Sequence, residues 1–212
     1  MRLHYQGEVQ IKKLQVGPYG NNCYIIISPT TKECAIIDAP PEPENVLQEL
    51  RGLEAKGIFI THNHFDHLEG LQAIKGGTGA PVACHSDDAA KLPLPPDLLL
   101  SGGEAIAIGS FTLEAIHTPG HTPGSTCFRT GKHLFTGDTL FPKGPGRTSS
   151  PENFHQIVKS INERLFILPN DIVVYPGHGE DSVLGREKGE YSVFAQKTHR
   201  PDLCGDVLWA SS

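Results

Sequence analysis

Short apolar runs separated by turn-forming residues dominate the first 85 residues of the chain. Runs such as EVQIKKLQV (8–16) and NCYIIIS (22–28) are rich in isoleucine and valine and are bounded by glycine, proline or asparagine, which is typical of β-strands. The segment ENVLQELRG (44–52) has apolar residues at helical spacing and ends on a glycine, which is typical of a helix. The pattern predicts strands at residues 8–16, 22–28, 34–38, 57–61 and 81–85, and helices at residues 44–52 and 68–75.

The second half of the chain, after the proline-rich stretch at 93–96, repeats this alternation. Strands are predicted at about residues 104–108, 111–117, 125–129, 133–136 and 171–175. A helix is predicted at about 152–165, because Ser150-Pro151 is a favourable helix start. Short strands mixed with separate helices indicate sheet layers flanked by helices, an α/β arrangement.

Composition narrows the class of protein. The 212 residues suit one domain, or two small halves that share a core. Acidic residues (24) outnumber basic ones (18), so a general nucleic-acid binder is not expected. Because no apolar run approaches the ~18 residues of a membrane span and the N-terminus is polar, we expect a cytoplasmic protein without a membrane partner. The five cysteines are widely spaced, without a C-x-x-C pair, and are expected to be reduced.

A cluster of histidines stands at the end of the strand predicted at 57–61. In THNHFDH, His62 and His64 are two residues apart, so in extended chain both side chains point to one face and can reach one metal ion. Asp66 and His67 follow where the strand gives way to a helix, and they point elsewhere, towards a possible second metal. An alternative for Asp66 is that it only caps the helix expected to begin near Leu68.

Three more polar residues occupy similar positions. His121, Asp138 and His178 each follow a predicted strand and have glycine neighbours, which allow a close approach of the backbone. Side chains at the ends of several strands are expected to converge on one edge of a sheet. Imidazole and carboxylate together suit zinc, iron or manganese.

These motifs resemble those of the metallo-β-lactamase superfamily, and within it they are similar to the hydroxyacylglutathione hydrolase (glyoxalase II) branch. The matching segments, in the family's order, are IIDAP (36–40), THNHFDH (61–67), HTPGHTPGS (117–125), LFTGDTLF (134–141), GPGR (144–147) and YPGHG (175–179). The resemblance implies one domain over residues 1–212 with a four-layer αββα sandwich and a dinuclear site at one edge.

The resemblance also implies roles for individual residues. His62, His64 and His121 would hold one metal; Asp66, His67 and His178 would hold the other. Asp138 would bridge the two ions, Asp66 would also orient the nucleophile, and Asp38 would buttress the histidine loop. Arg147, in GPGR, matches the basic residue that the family uses for a substrate carboxylate. A structural salt bridge is the alternative role for Arg147.

The expected activity is hydrolysis of a small ester or thioester by two divalent ions, with zinc preferred and iron or manganese possible. Two divalent ions outweigh two carboxylates and one hydroxide by about one positive charge, which favours an anionic small-molecule substrate. Three alternatives remain: a mononuclear iron persulfide dioxygenase, a lactonase or weak β-lactamase, and a non-catalytic metal-binding module. The chain is expected to act as a monomer or homodimer.

The C-terminal segment raises a separate question. Only 34 residues follow His178, too few for the helical domain with which full-length glyoxalase II enzymes bind glutathione. Recognition of glutathione therefore stays open. Tyr191, Phe194 and Trp209 are expected either to line the substrate pocket or to pack back on the sandwich, with packing favoured.

Overall fold

Two β-sheets lie face to face in the computed structural model, which describes residues 3–212. The first sheet has seven strands in chain order: β1 (Tyr5–Gln6), β2 (Gln10–Val16), β3 (Asn21–Ile27), β4 (Glu33–Ile37), β5 (Glu54–Phe59), β6 (Val82–His85) and β7 (Leu98–Leu100). Strands β1 to β4 pair antiparallel, whereas β4 to β7 pair parallel.

The second sheet has six strands. They are β8 (Ala105–Ile108), β9 (Phe111–His117), β10 (Thr126–Thr130), β11 (His133–Gly137), β14 (Val173–Pro176) and β15 (Ser182–Val183), in the order β15-β14-β11-β10-β9-β8. A small separate hairpin joins β12 (Leu140–Phe141) to β13 (Gly144–Pro145).

Helices cover the outer face of each sheet. Next to the first sheet are α1 (Pro43–Glu49), a 3₁₀ turn (Phe65–His67), α2 (Leu71–Thr78) and α3 (Ser86–Ala89). Next to the second sheet are α4 (Pro151–Ser160), which continues as a π-helical turn (Ile161–Leu165), and α5 (Leu184–Phe194). No helix in residues 3–212 is long and apolar enough to cross a bilayer.

Three apolar clusters account for this layering. Strand β3 is buried along its whole length, and its alternate side chains serve two clusters. Cys23, Ile25 and Ile27 pack towards α1 and α2, whereas Tyr24 and Ile26 pack between the two sheets. The third cluster joins the second sheet to α4 and α5. The order helix, sheet, sheet, helix confirms the expected αββα sandwich.

Most predicted elements agree with the structure to within a few residues, and the differences have local causes. The helix expected from residue 68 begins at Leu71 after Gly70, whose N–H donates to the Ala39 carbonyl at 2.8 Å. Asp66 lies in the preceding 3₁₀ turn, so the interpretation of Asp66 as a helix cap is wrong. The sequence pattern did not predict β1, β7, β12, β13, β15, α3 or α5, because these elements are very short or, in α5, carry a weak apolar pattern interrupted by glycines.

The C-terminal segment packs back on the second sheet, as favoured from the sequence. Trp209 is fully buried and its ring centroid lies 4.9 Å from that of Phe194 and 5.1 Å from that of Tyr191. Because Val207 and Leu208 precede this anchor, they come to line a cavity described below. Among the cysteines, Cys23, Cys34, Cys84 and Cys127 are buried thiols and Cys204 is partly exposed, and all five are unbridged.

Candidate metal centre

The direction of the strands explains why distant parts of the chain meet at one edge. Strands β9, β11 and β14 run the same way, so the loops that follow them leave the second sheet at the same edge. Backbone hydrogen bonds join the first sheet to that edge. Thr126 N–H donates to the Thr61 carbonyl at 2.8 Å, and Asn22 N–H donates to the Gly177 carbonyl at 2.7 Å. The loop after β5 therefore lies against the loops of the second sheet.

All seven predicted ligands meet at this edge: six form two groups, and Asp138 lies between the groups. The first, here called the three-histidine group, consists of His62, His64 and His121. Its nitrogens converge: His64 Nδ1 lies 3.1 Å from His62 Nε2 and 2.9 Å from His121 Nε2. Nitrogens that each bind one ion at ~2.1 Å with tetrahedral angles lie about 3.4 Å apart, so the observed spacing is a few tenths of an ångström shorter and is close to that of a single ion such as zinc.

The second group, here called the mixed group, consists of Asp66, His67 and His178. His178 Nε2 lies 3.2 Å from His67 Nε2 and 3.2 Å from Asp66 Oδ2. The distance from His67 Nε2 to Asp66 Oδ2 is 3.6 Å. These three atoms also surround a point that suits one ion.

Asp138 stands between the two groups. Its Oδ1 lies 3.5 Å from His67 Nε2, and its Oδ2 lies 3.6 Å from His121 Nε2 and 3.7 Å from His178 Nε2. Oδ1 is buried and has no hydrogen-bond partner within residues 3–212. A buried carboxylate oxygen without a partner is costly unless a cation is close by. The donor set around Asp138 therefore fits a metal centre, with Asp138 in contact with both groups.

Hydrogen bonds to the far side of the imidazole rings aim the converging nitrogens. In four of the five histidines Nδ1 is engaged and Nε2 is left to converge, an arrangement common among metal ligands. The Nδ1 partners are Thr61 Oγ1 for His62 at 3.0 Å, Asp38 Oδ2 for His67 at 2.9 Å, the Arg147 carbonyl for His121 at 2.8 Å and the Tyr19 carbonyl for His178 at 3.1 Å.

Asp38 lies behind the histidine loop, where the sequence placed it. Its carboxylate is buried and accepts hydrogen bonds from Thr61 N–H and Thr61 Oγ1, both at 2.8 Å, as well as contacting His67. Its backbone is in the left-handed region, with φ of 61°, which aspartate tolerates better than most residues. Asp38 thus fixes both the backbone before His62 and the ring of His67.

The two groups differ in how strongly their histidines hold protons. Burial and neighbouring imidazoles lower the pKa values of His62 and His64, and the pKa of His62 lies well below its usual range. Burial alone would also lower the pKa of His67, but the carboxylates of Asp138 and Asp38 outweigh it and raise that pKa to about 9. At neutral pH, His62 and His64 are therefore uncharged, the form that binds metals. In the metal-free protein His67 keeps a proton that an ion must displace.

Three further residues support the site and were not predicted from the sequence. Asn21 Nδ2 donates to Asp66 Oδ2 at 2.8 Å. Gly177 leaves room beside the ligands, since a Cβ there would lie 2.4 Å from Asp138 Oδ1. Asp88 is buried beneath two of the ligand loops. The glycine neighbours of His178 are the one signal in the sequence for these residues, because Asn21 has only the pattern of a residue that bounds a strand.

Arg147 lies in a cavity of about 290 Å³ beside the centre, which is also lined by His121, Asp138, Phe141, Val207 and Leu208. Its side chain is 75% exposed, and Nε lies 3.8 Å from Asp206 Oδ2. Arg147 thus forms a weak surface ion pair and also lines the cavity next to the candidate ligands, and its contact with a substrate carboxylate stays a prediction.

A third cluster of histidine and aspartate, formed by His85, Asp87 and His117, has other partners. The His85 ring stacks on that of His117 with centroids 3.7 Å apart, and His85 Nδ1 accepts the Asp87 N–H at 3.2 Å. His117 Nε2 donates to the Pro123 carbonyl at 2.8 Å. His85 and His117 stand at the ends of β6 and β9.

Curated proteins similar to this chain include hydrolases. A protein of Bacillus subtilis named probable metallo-hydrolase YqgX is 32% identical over 193 residues, which cover 81% of this chain and 90% of that protein. The hydroxyacylglutathione hydrolase GloC of Haemophilus influenzae is 31% identical over 203 residues, which cover 85% of this chain and 95% of that protein.

Solved structures with the same fold span several names. The BLEG-1 B3 metallo-beta-lactamase is 30% identical with a TM-score of 0.77, covering 84% of this chain and 96% of its own. ETHE1 from Myxococcus xanthus is 28% identical with a TM-score of 0.76, covering 84% of this chain and 81% of its own. TTHA1623 in a di-iron-bound form is 30% identical with a TM-score of 0.71, covering 84% and 96%.

The profile of the metallo-beta-lactamase superfamily matches residues 16–178, a range that contains all seven residues of the candidate centre. Together with the αββα layering and the two ligand groups at one edge, this match establishes the family. The chain belongs to the metallo-beta-lactamase superfamily.

Proposed function

We propose that the protein is a dinuclear metal hydrolase that cleaves small thioesters or esters, with zinc as its metal. The observation that carries this proposal is the completeness of the second ligand group. The ligand atoms of Asp66, His67 and His178 lie within 3.2–3.6 Å of one another, and Asp138 contacts both groups. A second complete group provides donors for a second ion, as a dinuclear centre requires.

The residues divide the work as follows. His62, His64 and His121 would hold one ion and the mixed group the other, with Asp138 shared between them. When bound, the two ions would lower the pKa of a coordinated water to about 7 and polarise the substrate carbonyl. Asn21 Nδ2 donates to Asp66 Oδ2, the oxygen that also faces His67 and His178, and so holds the Asp66 carboxylate in place. A thiolate leaving group, with a thiol pKa near ~8.5, needs less protonation than an amine, which favours thioesters.

Two adjoining cavities beside the centre favour a thioester substrate with a small acyl group and a larger thiol group. The cavity of about 290 Å³ has apolar walls from Phe141, Val207 and Leu208, and it suits a small acyl group whose carboxylate would meet Arg147. A wider cleft of about 750 Å³ adjoins it at His121 and contains Lys91 and Arg147. This cleft suits the larger, anionic thiol half of the substrate.

A mononuclear iron persulfide dioxygenase is the second candidate, favoured by the likeness to ETHE1. The di-iron-bound form of TTHA1623 supports iron as a possible metal, although with two ions. Imidazole and carboxylate ligands do not discriminate strongly between zinc and iron. The two candidates differ in chemistry, because a dioxygenase requires a redox-active ion and zinc has none of this chemistry.

The test is metal analysis of protein purified without added metal, followed by assays of the metal-free protein reloaded with zinc or with iron(II). A panel of acyl thioesters, a lactone and a β-lactam reports hydrolysis, and an oxygen electrode reports oxygenation of glutathione persulfide. We expect about two ions per chain and thioester cleavage that zinc supports without oxygen. One iron per chain, with oxygen consumption and no hydrolysis, would overturn the proposal.

A matched control separates the centre from general effects of removing a carboxylate. Asp171, an exposed residue that pairs with Lys132 just before β14, lies at the opposite end of that strand from His178. Asp171→Asn should keep both metals and full activity, whereas Asp138→Asn should lose both the metals and the activity.

A further inference from the structure

Asp88 is a buried carboxylate whose partners lie outside its own element. It belongs to α3, between β6 and β7, and is 1% exposed. A carboxylate removed from water to this extent is destabilising unless hydrogen bonds compensate for the lost hydration. The identity of its partners therefore indicates what Asp88 does in the fold.

Its two oxygens accept three hydrogen bonds from two separate loops. Oδ2 accepts the Asn63 N–H at 3.0 Å and the Thr122 hydroxyl at 2.7 Å, and Oδ1 accepts the Gly124 N–H at 2.9 Å. Hydrogen bonds to a charged acceptor are stronger than bonds between neutral groups. Asp88 thus joins the loop after β5 to the loop after β9.

Both loops carry ligands of the three-histidine group. Asn63 stands between His62 and His64 in the chain, and Thr122 directly follows His121. All three ligands are thus one residue away from an atom that Asp88 holds. Gly124 completes the contact, because a Cβ there would lie 2.6 Å from Asp88 Cγ, too close for any side chain.

The mixed group depends on other supports. Asp38 contacts the ring of His67, Asn21 donates to Asp66, and the Tyr19 carbonyl contacts His178. Within residues 3–212 the Asp88 side chain hydrogen-bonds to none of these residues. Asp88 therefore supports only the loops of the three-histidine group, whereas Asp38 contacts His67 and also, through Thr61, the backbone before His62.

We propose that Asp88 is the positioning residue of the three-histidine metal site: it sets the spacing between the His62–His64 pair and His121, and so determines the affinity of that site without touching the ion. The inference rests on the proposed function in assuming that this group binds a metal.

The experiment measures each site alone. His178→Ala leaves only the three-histidine group intact, and His64→Ala leaves only the mixed group intact. Asp88→Ala is added to each background, and zinc affinity of the metal-free proteins is measured by competition with a chromophoric chelator. Circular dichroism and thermal unfolding of the metal-free forms establish that each variant is folded.

We expect Asp88→Ala to weaken zinc binding about 10–100-fold in the His178→Ala background, the usual effect of losing a residue that orients ligands. We expect no more than a twofold change in the His64→Ala background. Unchanged affinity in the first background, or equal losses in both, would overturn the inference. Absence of any zinc binding in the His178→Ala background would overturn both the inference and the proposed function, which distinguishes the two failures.

Because Asp88 is buried, its removal is expected to lower the stability of the fold. A milder variant therefore keeps the inference testable if Asp88→Ala does not fold. Thr122→Val removes one of the three hydrogen bonds and keeps the side-chain shape. It should weaken zinc binding in the same background by a smaller factor. A Thr122→Val protein of unchanged affinity, together with an Asp88→Ala protein that does not fold, would also overturn the inference.

Discussion

Gly177→Ala tests the geometry of the centre without removing a ligand. The added Cβ would lie 2.4 Å from Asp138 Oδ1 and 2.7 Å from His67 Cε1, whereas ordinary contact begins at 3.4 Å. Asp138 must therefore move by about 1 Å, which displaces the carboxylate that contacts both ligand groups. A displacement of ~1 Å in an active site can cost about 10²-fold in rate, equivalent to about 2.7 kcal/mol. We expect a loss of this size in kcat/KM, together with weaker zinc binding.

The control is Gly179→Ala, two residues along the same loop. A Cβ at Gly179 meets nothing within 4 Å, although its φ of +71° makes alanine unfavourable there by about 1–2 kcal/mol. Gly179→Ala should therefore lose stability but keep both metals and most of its activity. The assays are zinc content, steady-state thioester hydrolysis and chemical unfolding. A Gly177→Ala protein with wild-type zinc affinity and wild-type turnover would refute the placement of Gly177 against Asp138 and His67.

Three further predictions concern single groups of the centre. Asp138→Ala should lower zinc content at both sites and abolish turnover, and two tightly bound zinc ions in that variant would contradict a shared role. Arg147→Ala should raise KM for an anionic acyl substrate and change kcat less, the pattern for lost uniform binding, whereas an unchanged KM would leave only the ion pair with Asp206. For His67, the folded-state pKa of about 9 lies above the unfolded value of ~6.5. The protonated His67 ring therefore stabilises the metal-free protein fully below pH 6.5, and this stabilisation is lost as the pH rises through 9. At 1.36 kcal/mol per pKa unit, the free energy of unfolding should fall by about 3 kcal/mol over this pH range. Urea unfolding of chelator-treated wild type and His67→Gln measures the difference. Equal pH dependence of stability in the two proteins would contradict the prediction.

The ligands of the candidate centre could be predicted from the sequence because each one follows a recognisable strand. The runs ending near Thr61, His117, Gly137 and Pro176 are regular enough to place the residues after them at strand ends. Convergence then follows from topology, since strands that run in the same direction deliver their C-terminal ends to one edge. The αββα layering follows in the same way from apolar strands that alternate with amphipathic helices.

The supports of the centre could not be predicted in this way. Asp88 stands in HSDDAAK, which has the appearance of an acidic, solvent-exposed turn, yet its partners Asn63 and Thr122 are 25 and 34 residues away. Asn21 follows a glycine turn, where asparagine is usual for local reasons. The functions of these residues depend on which loops the tertiary fold brings beside them, and no local pattern encodes that.

The centre thus depends on two parts of the structure, the apolar clusters and the buried carboxylates behind the ligand loops, and damage to each part has a different effect. The apolar clusters hold the strands, and a cavity there would lower the stability of the whole fold. The ligand loops lie at the edge of these clusters, and their shape depends on buried carboxylates that accept backbone N–H groups: Asp38 for the loop after β5, and Asp88 for the same loop and the loop after β9. Because such bonds fix the backbone beside a ligand and leave its converging nitrogen free, the ligand nitrogens can converge before an ion arrives. Preorganisation of this kind lowers the entropic cost of binding, which is why residues that never touch the ion are expected to set its affinity.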